Sequence, residues 1–131
     1  MNRRSGVRAV VVGVLVVLLG LVVGAVIVVV AISAGTDLEA TPVTLAGPVL
    51  SLTFCALGGY VTASLAPRQP VLHAMLAGAL VLALMLVFDL ALDLVLPSEG
   101  NQSPGIISLL ETALQVPAAM LGGHVWVRRA A

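Results

Sequence analysis

From Ala9 to Ser33 the chain reads AVVVGVLVVLLGLVVGAVIVVVAIS, without one charged residue. An α-helix rises about 1.5 Å per residue, so about 20 such residues cross the roughly 30 Å hydrocarbon core of a bilayer. A run this long and this apolar is more than the core of a small soluble domain can bury, and it reads as a membrane-spanning helix. The whole chain agrees. Hydrophobic residues make up 60% of its 131 residues, charged residues only 9%, and the mean hydropathy is +1.19. That is too little charge to cover a water-facing surface. Arg3 and Arg4 precede the run and "AIS" resembles a small-residue cleavage site, which are features of a signal peptide. The apolar core is well beyond the roughly 7–15 residues of a signal peptide, so a retained helix is expected.

Three further segments have spanning length: roughly 45–66, 71–96 and 106–127, after a first span of about 9–33. The breaks between them, "AGTDLEATP", "APRQP" and "PSEGNQSPG", carry turn-forming residues. The expectation is an all-α membrane protein: one membrane domain over 1–131, with four transmembrane helices arranged as two hairpins. Pro117 lies deep inside the fourth segment, where it should kink the helix.

Positive charge sets the orientation. Arg3, Arg4 and Arg8 precede the first span, Arg68 joins the second and third, and Arg128 and Arg129 follow the fourth. With four spans these regions share one side, while the other loops hold Asp37, Glu39 and Glu99 and no arginine. Basic residues stay cytoplasmic, so both termini are expected inside. Arginine without any lysine, in a chain rich in Val, Ala, Leu and Gly, points to a GC-rich bacterial genome and hence to the bacterial inner membrane.

The second segment ends "ALGGYVTASLAP" and the fourth "MLGGHVWVRRAA". Superposing Gly58-Gly59 on Gly122-Gly123 gives an offset of 64 residues, nearly half the chain, as a parallel two-plus-two repeat of hairpins would. Chance likeness between two apolar glycine-containing helices is the rival explanation. The stretch "GGYVTASLAPRQPVLHAMLAG", Gly58 to Gly78, has a Gly-Gly-aromatic helix end, a short basic turn, and a His-small-x-x-x-Gly helix start. In this it resembles small four-helix bacterial integral membrane proteins that have no assigned activity, so the resemblance implies a fold and no chemistry.

Small residues let membrane helices approach closely, because lipid is as apolar as leucine and offers no hydrophobic drive for association. Candidate packing positions are Gly20 and Gly24 in the first helix, Gly59 in the second, Gly78 in the third, and Gly122 and Gly123 in the fourth. Gly13 extends the first track.

"VFDLALDLVLP" near the end of the third span carries Asp89 and Asp93, four residues apart and so on one helix face. That face continues through Met85 or Leu86, Leu82, Gly78 and Ala74. In the fourth helix Glu111, Gln115, Ala118 and Gly122 form a similar stripe. Counted from the loop, Asp93 lies about 6 Å deep, Asp89 about 12 Å and Glu111 about 9 Å. An ionised aspartate inside a span costs about 2.5–3.5 kcal/mol, and no arginine lies within the membrane to offset it. Protonation, water, a bound cation or a basic residue of another chain must do so. Ser108, Thr112 and Gln115 are candidate hydrogen-bond partners for a protonated acid. Asp93 and Glu111 could instead reach interfacial water, which leaves Asp89 to explain. These residues, Asp89, Asp93, Glu111 and Gln115, form the candidate acidic site. The inner halves of the spans offer almost no polar residues, which counts against an ion path through one copy.

His73 and His124 lie near the cytoplasmic interface, where packing explains them more simply than a shared metal. Cys55 reads as a small buried hydrophobe. No motif for catalysis, a cofactor, a metal or nucleic acid is present, and the net charge is zero. The expected partners are the lipid bilayer and a second copy or another membrane subunit. The expected role is accessory, assembly or helix association, and the alternative is an oligomeric small transporter or channel with an outer-leaflet acidic cation or proton site.

Overall fold

The computed structural model describes residues 3–35, 41–66, 68–95 and 106–131, with side chains described over 5–35, 45–66, 68–91 and 109–131. Four helices follow one another: α1 (Arg3–Ser33), α2 (Thr41–Leu65), α3 (Pro70–Val95) and α4 (Ile106–Ala130). Asp37, Glu39 and Glu99 lie outside the described residues, as do the side chains of Arg3, Arg4, Asp93 and Ser108.

The helix ends have local causes. α1 stops where Gly35 takes a φ of 72° and donates its N–H to the Ile32 carbonyl at 3.0 Å. α2 begins at Thr41, earlier than the apolar run suggests, because Pro42 suits a first helical turn whose N–H groups have no helical partner. The earlier start moves Pro48 from the first turn into the interior of α2, as Pro117 is inside α4, and both helices continue through their prolines. Between α2 and α3 the turn is short. Gln69 adopts a φ of 50°, Pro70 opens α3, and the Gln69 carbonyl accepts the His73 N–H at 3.2 Å.

Three helices contain stretches long and apolar enough to cross a membrane: Ser5–Ser33, Leu45–Leu65 and Pro70–Ala91. α4 is more polar because Glu111, Gln115, His124, Arg128 and Arg129 interrupt it.

α2 packs against all three other helices and α3 does likewise, whereas α1 and α4 do not meet among the described residues. Facing pairs give the directions. Gly13 meets Gly58, Gly20 meets Phe54 and Gly24 meets Leu50, so numbers rise on α1 as they fall on α2. On α4, Gly123 faces Ala74 and Ala119 faces Gly78, so α3 and α4 are also antiparallel. α2 and α4 run parallel: Gly59 faces Ala119 and Ala63 faces Gly123.

Burial is confined to one half of the bundle. The buried residues fall within Ala9–Gly20, Cys55–Ala66, Ala74–Val81 and Gln115–Gly123, which is the half nearer the termini. Val14, Val17, Cys55, Ala77 and Val81 make its core. Farther from the termini no described residue is buried, and Val22, Val26, Val30, Leu86, Val87 and Phe88 are all exposed. The cause lies in side-chain size. The terminal half presents glycines that admit a neighbouring backbone, while the far half of α1 presents the bulky run "VIVVVAI".

Candidate functional site

The closed half is set by glycine contacts. A Cβ at Gly59 would collide with the Ala119 carbonyl, and one at Gly122 with the Ala56 carbonyl. Between α1 and α2 a Cβ at Gly13 would collide with the Thr62 hydroxyl and one at Gly58 with a Val17 methyl, and each would lie 2.8 Å from the other glycine's carbonyl oxygen. Gly78 and Gly123 seat against Ala119 and Ala74 methyls, where an added Cβ would come within 2.9 Å and 2.8 Å. Gly20 accommodates the Phe54 ring. Gly24 is the exception among the six expected packing glycines. It is only half-buried, and a Cβ there would meet Leu50 at an ordinary 3.5 Å. Gly58, and with it the Gly13–Gly58 pair, was missing from the expected set. Scoring glycines by their four-residue spacing within one helix does not reveal a pair that faces across two.

The acidic residues divide. Asp89 is exposed, in an exposed apolar neighbourhood of Leu86, Val87, Phe88 and Leu90. The stripe expected to carry it into the bundle is buried at Ala74 and Gly78, half-buried at Leu82 and Met85, and then leaves the interior. Of the two settings that a shared stripe with the packing residues allows, the bundle or a partner, the exposure of Asp89 leaves the first unfilled within one chain. Steps of 4, 4, 3 and 4 residues from Ala74 to Asp89 rotate about 60° past a whole number of turns, and the helices have already parted there. Asp93 is on the same helix, with its side chain outside the described residues.

Glu111 behaves differently. It is half-buried, within electrostatic reach of the Cys55 thiol, and lines a cavity between α1 and α2. One turn farther along α4, Gln115 is 8% exposed and its Oε1 is enclosed without a hydrogen-bond donor. That oxygen therefore accepts no hydrogen bond from Glu111 or Asp89. Nothing in the sequence distinguishes a satisfied glutamine from an orphaned one.

Of the remaining polar residues, Thr62 is fully buried and donates its hydroxyl to the Gly58 carbonyl at 2.8 Å, next to Gly13. His73 donates Nδ1–H to the Gln69 carbonyl at 3.1 Å, and its ring packs against Gly6 of α1. His124 is exposed. Among the described residues no group of three or more His, Cys, Asp and Glu side chains is placed to hold a metal. Cys55 is 1% exposed, within the core. Comparison with known proteins finds no family model, no curated protein and no solved structure that matches this chain.

Proposed function

We propose that the chain is a four-span protein of the bacterial inner membrane with both termini cytoplasmic, and that it works by associating with a second copy or another membrane subunit through the Asp89 face of α3. The observation that carries this reading is the exposure of Asp89 among exposed apolar residues. A carboxylate in that position would face lipid at a cost of about 2.5–3.5 kcal/mol, and every arginine of the chain lies at a helix end or turn. A partner helix that offers a hydrogen bond or a basic group removes the cost.

Support for a fourth span comes from α4's packing. It lies along α2 and α3 through Ala119, Gly122 and Gly123, so a bilayer holding those helices also holds α4. At about 1.5 Å per residue its 25 residues reach about 37 Å. Four spans place all six arginines on the closed side of the bundle, and the open half then faces outward. The reciprocal contacts Gly59–Ala119 and Gly122–Ala56 support a local two-fold between α2 and α4. They pair Gly59 with Gly122, one residue away from the offset that the Gly-Gly motifs suggest. The two-hairpin repeat is supported by α2 and α4 alone, since α3 touches α2 while among the described residues α1 does not touch α4.

A second reading, an oligomeric small transporter or channel with an outer acidic site, is favoured by Glu111 beside a cavity in the open half. The glycine-sealed closed half opposes a path through one copy.

Native mass spectrometry of the protein in nanodiscs, wild type beside an Asp89→Asn, Asp93→Asn double variant, separates the readings. Association predicts a defined oligomer or a retained partner that the variant loses. The same bare species from both removes it.

A further inference from the structure

The cavity that Glu111 lines has a volume of about 360 Å³. Small-molecule pockets run from roughly 300 to 1,000 Å³, so it is large enough for a ligand. Its walls are the far halves of α1 and α2, including Gly24, Val28, Gly47 and Leu50. Among the described residues Ser51 and Glu111 bring the polar side chains to that lining, and Asp89 is not part of it. The space beside Gly47 is open: a Cβ there would meet nothing within 4 Å.

We propose that this cavity binds an organic monocation with an apolar body, of the alkylammonium or arylphosphonium kind. The site is separate from the Asp89 face, and the proposal does not depend on association there. Three features select this ligand class. The walls are apolar, so a ligand must bring apolar surface to fill them. One carboxylate faces a cavity in a chain whose arginines are all remote, so the ligand must bring a positive charge. One carboxylate and one hydroxyl are too few oxygens for calcium, which takes six to eight, and magnesium would have to hold most of its waters against apolar walls, so the charge belongs on a weakly hydrated organic centre. An acyl chain of a lipid fills the volume and leaves the carboxylate unmatched, and an anion is repelled.

The test uses the full chain in zwitterionic-lipid nanodiscs with radiolabelled tetraphenylphosphonium as probe, empty nanodiscs as the blank, and neutral triphenylphosphine oxide as competitor. Saturable binding above the blank is expected, at least tenfold weaker in Glu111→Gln and in Gly47→Phe, with little competition from the neutral compound. The two changes disturb folding in unrelated ways, because one is nearly isosteric and the other enters open space. Trp126 emission reports the fold of each variant. The proposal is overturned by wild type without saturable binding, by Glu111→Gln binding as well as wild type, by equal competition from the neutral compound, or by a loss on Asp89→Asn in place of Glu111→Gln.

Discussion

Replacing Gly122 by alanine tests the closed half of the bundle most sharply. The added Cβ would lie 2.8 Å from the Ala56 carbonyl carbon and 2.9 Å from the Tyr60 amide nitrogen, against 3.4–4 Å for an ordinary contact. Both are backbone atoms that cannot swing aside, so α2 and α4 must part by about 1 Å. A gap of that size forfeits roughly a quarter to a half of each dispersion contact, and each contact is worth about 0.1–0.2 kcal/mol. A seam of on the order of 40 atom pairs, as many as one buried leucine makes, then loses about 1–4 kcal/mol. Alanine's better helix propensity returns up to about 1 kcal/mol, leaving a net cost near 2 kcal/mol. Gly59→Ala strains the same seam from the other side, where its Cβ would be 2.7 Å from the Ala119 carbonyl carbon. Once the helices have parted for one methyl the second finds room. The double variant is therefore expected to cost about 2 kcal/mol, well below the sum of the singles. Gly24→Ala and Gly47→Ala are the controls, neutral or stabilising by up to about 1 kcal/mol, because nothing crowds them. Unfolding in mixed micelles titrated with sodium dodecyl sulfate, followed by Trp126 on α4, measures all five proteins. The close-contact reasoning fails if Gly122→Ala moves the transition no more than Gly24→Ala, or if the Gly59 and Gly122 costs simply add.

Gln115→Met, which replaces a buried amide whose oxygen has no donor by an apolar side chain of similar size, is expected to stabilise the bundle by about 1 kcal/mol in the same titration. A destabilisation would mean that the amide has a partner. Thr62→Val keeps the packing against Gly13 and loses one hydrogen bond, a cost of about 0.5–1.5 kcal/mol. Thr62→Leu must push α1 away from Gly13, and about 2–3 kcal/mol is expected. Asp89→Asn alone is expected to weaken self- or partner association in nanodiscs while leaving the micellar unfolding transition within about 0.5 kcal/mol, as for an exposed residue.

The helices were legible because each is a mostly apolar segment of about twenty residues or more bounded by turn-forming residues, which leaves a chain few options. α3 lies within one residue of its apolar segment at both ends, whereas α1 begins six residues before its apolar run and α2 four residues before, the latter because Pro42 opens a helix as readily as it closes a loop. Gly59, Gly78, Gly122 and Gly123 were legible as packing residues because glycine in a span has few other uses. The weakness of Gly24 was not, since it depends on where the bundle opens, and that follows from bulk distributed over several helices. The sequence sets the acids on two similar stripes, one on α3 and one on α4, whereas in the structure Glu111 lines the α1–α2 cavity and Asp89 is exposed. A stripe counted along one helix says which residues share a face, and the neighbours decide what that face meets. The orphaned Gln115 carbonyl belongs to the same class of fact.

Labelling from the two sides of the membrane tests the account most directly, because four spans, orientation and an outward-opening bundle stand or fall together. In a Cys55→Ser background, single Gly35→Cys, Gln69→Cys and Ala131→Cys variants would be treated with a membrane-impermeant maleimide in intact spheroplasts and again after permeabilisation. The expected result is labelling of the residue-35 variant in intact spheroplasts, and of the residue-69 and residue-131 variants only after permeabilisation. Labelling of the residue-131 variant from outside would contradict it, since α4 would then not cross the membrane and the closed half could not be the cytoplasmic one.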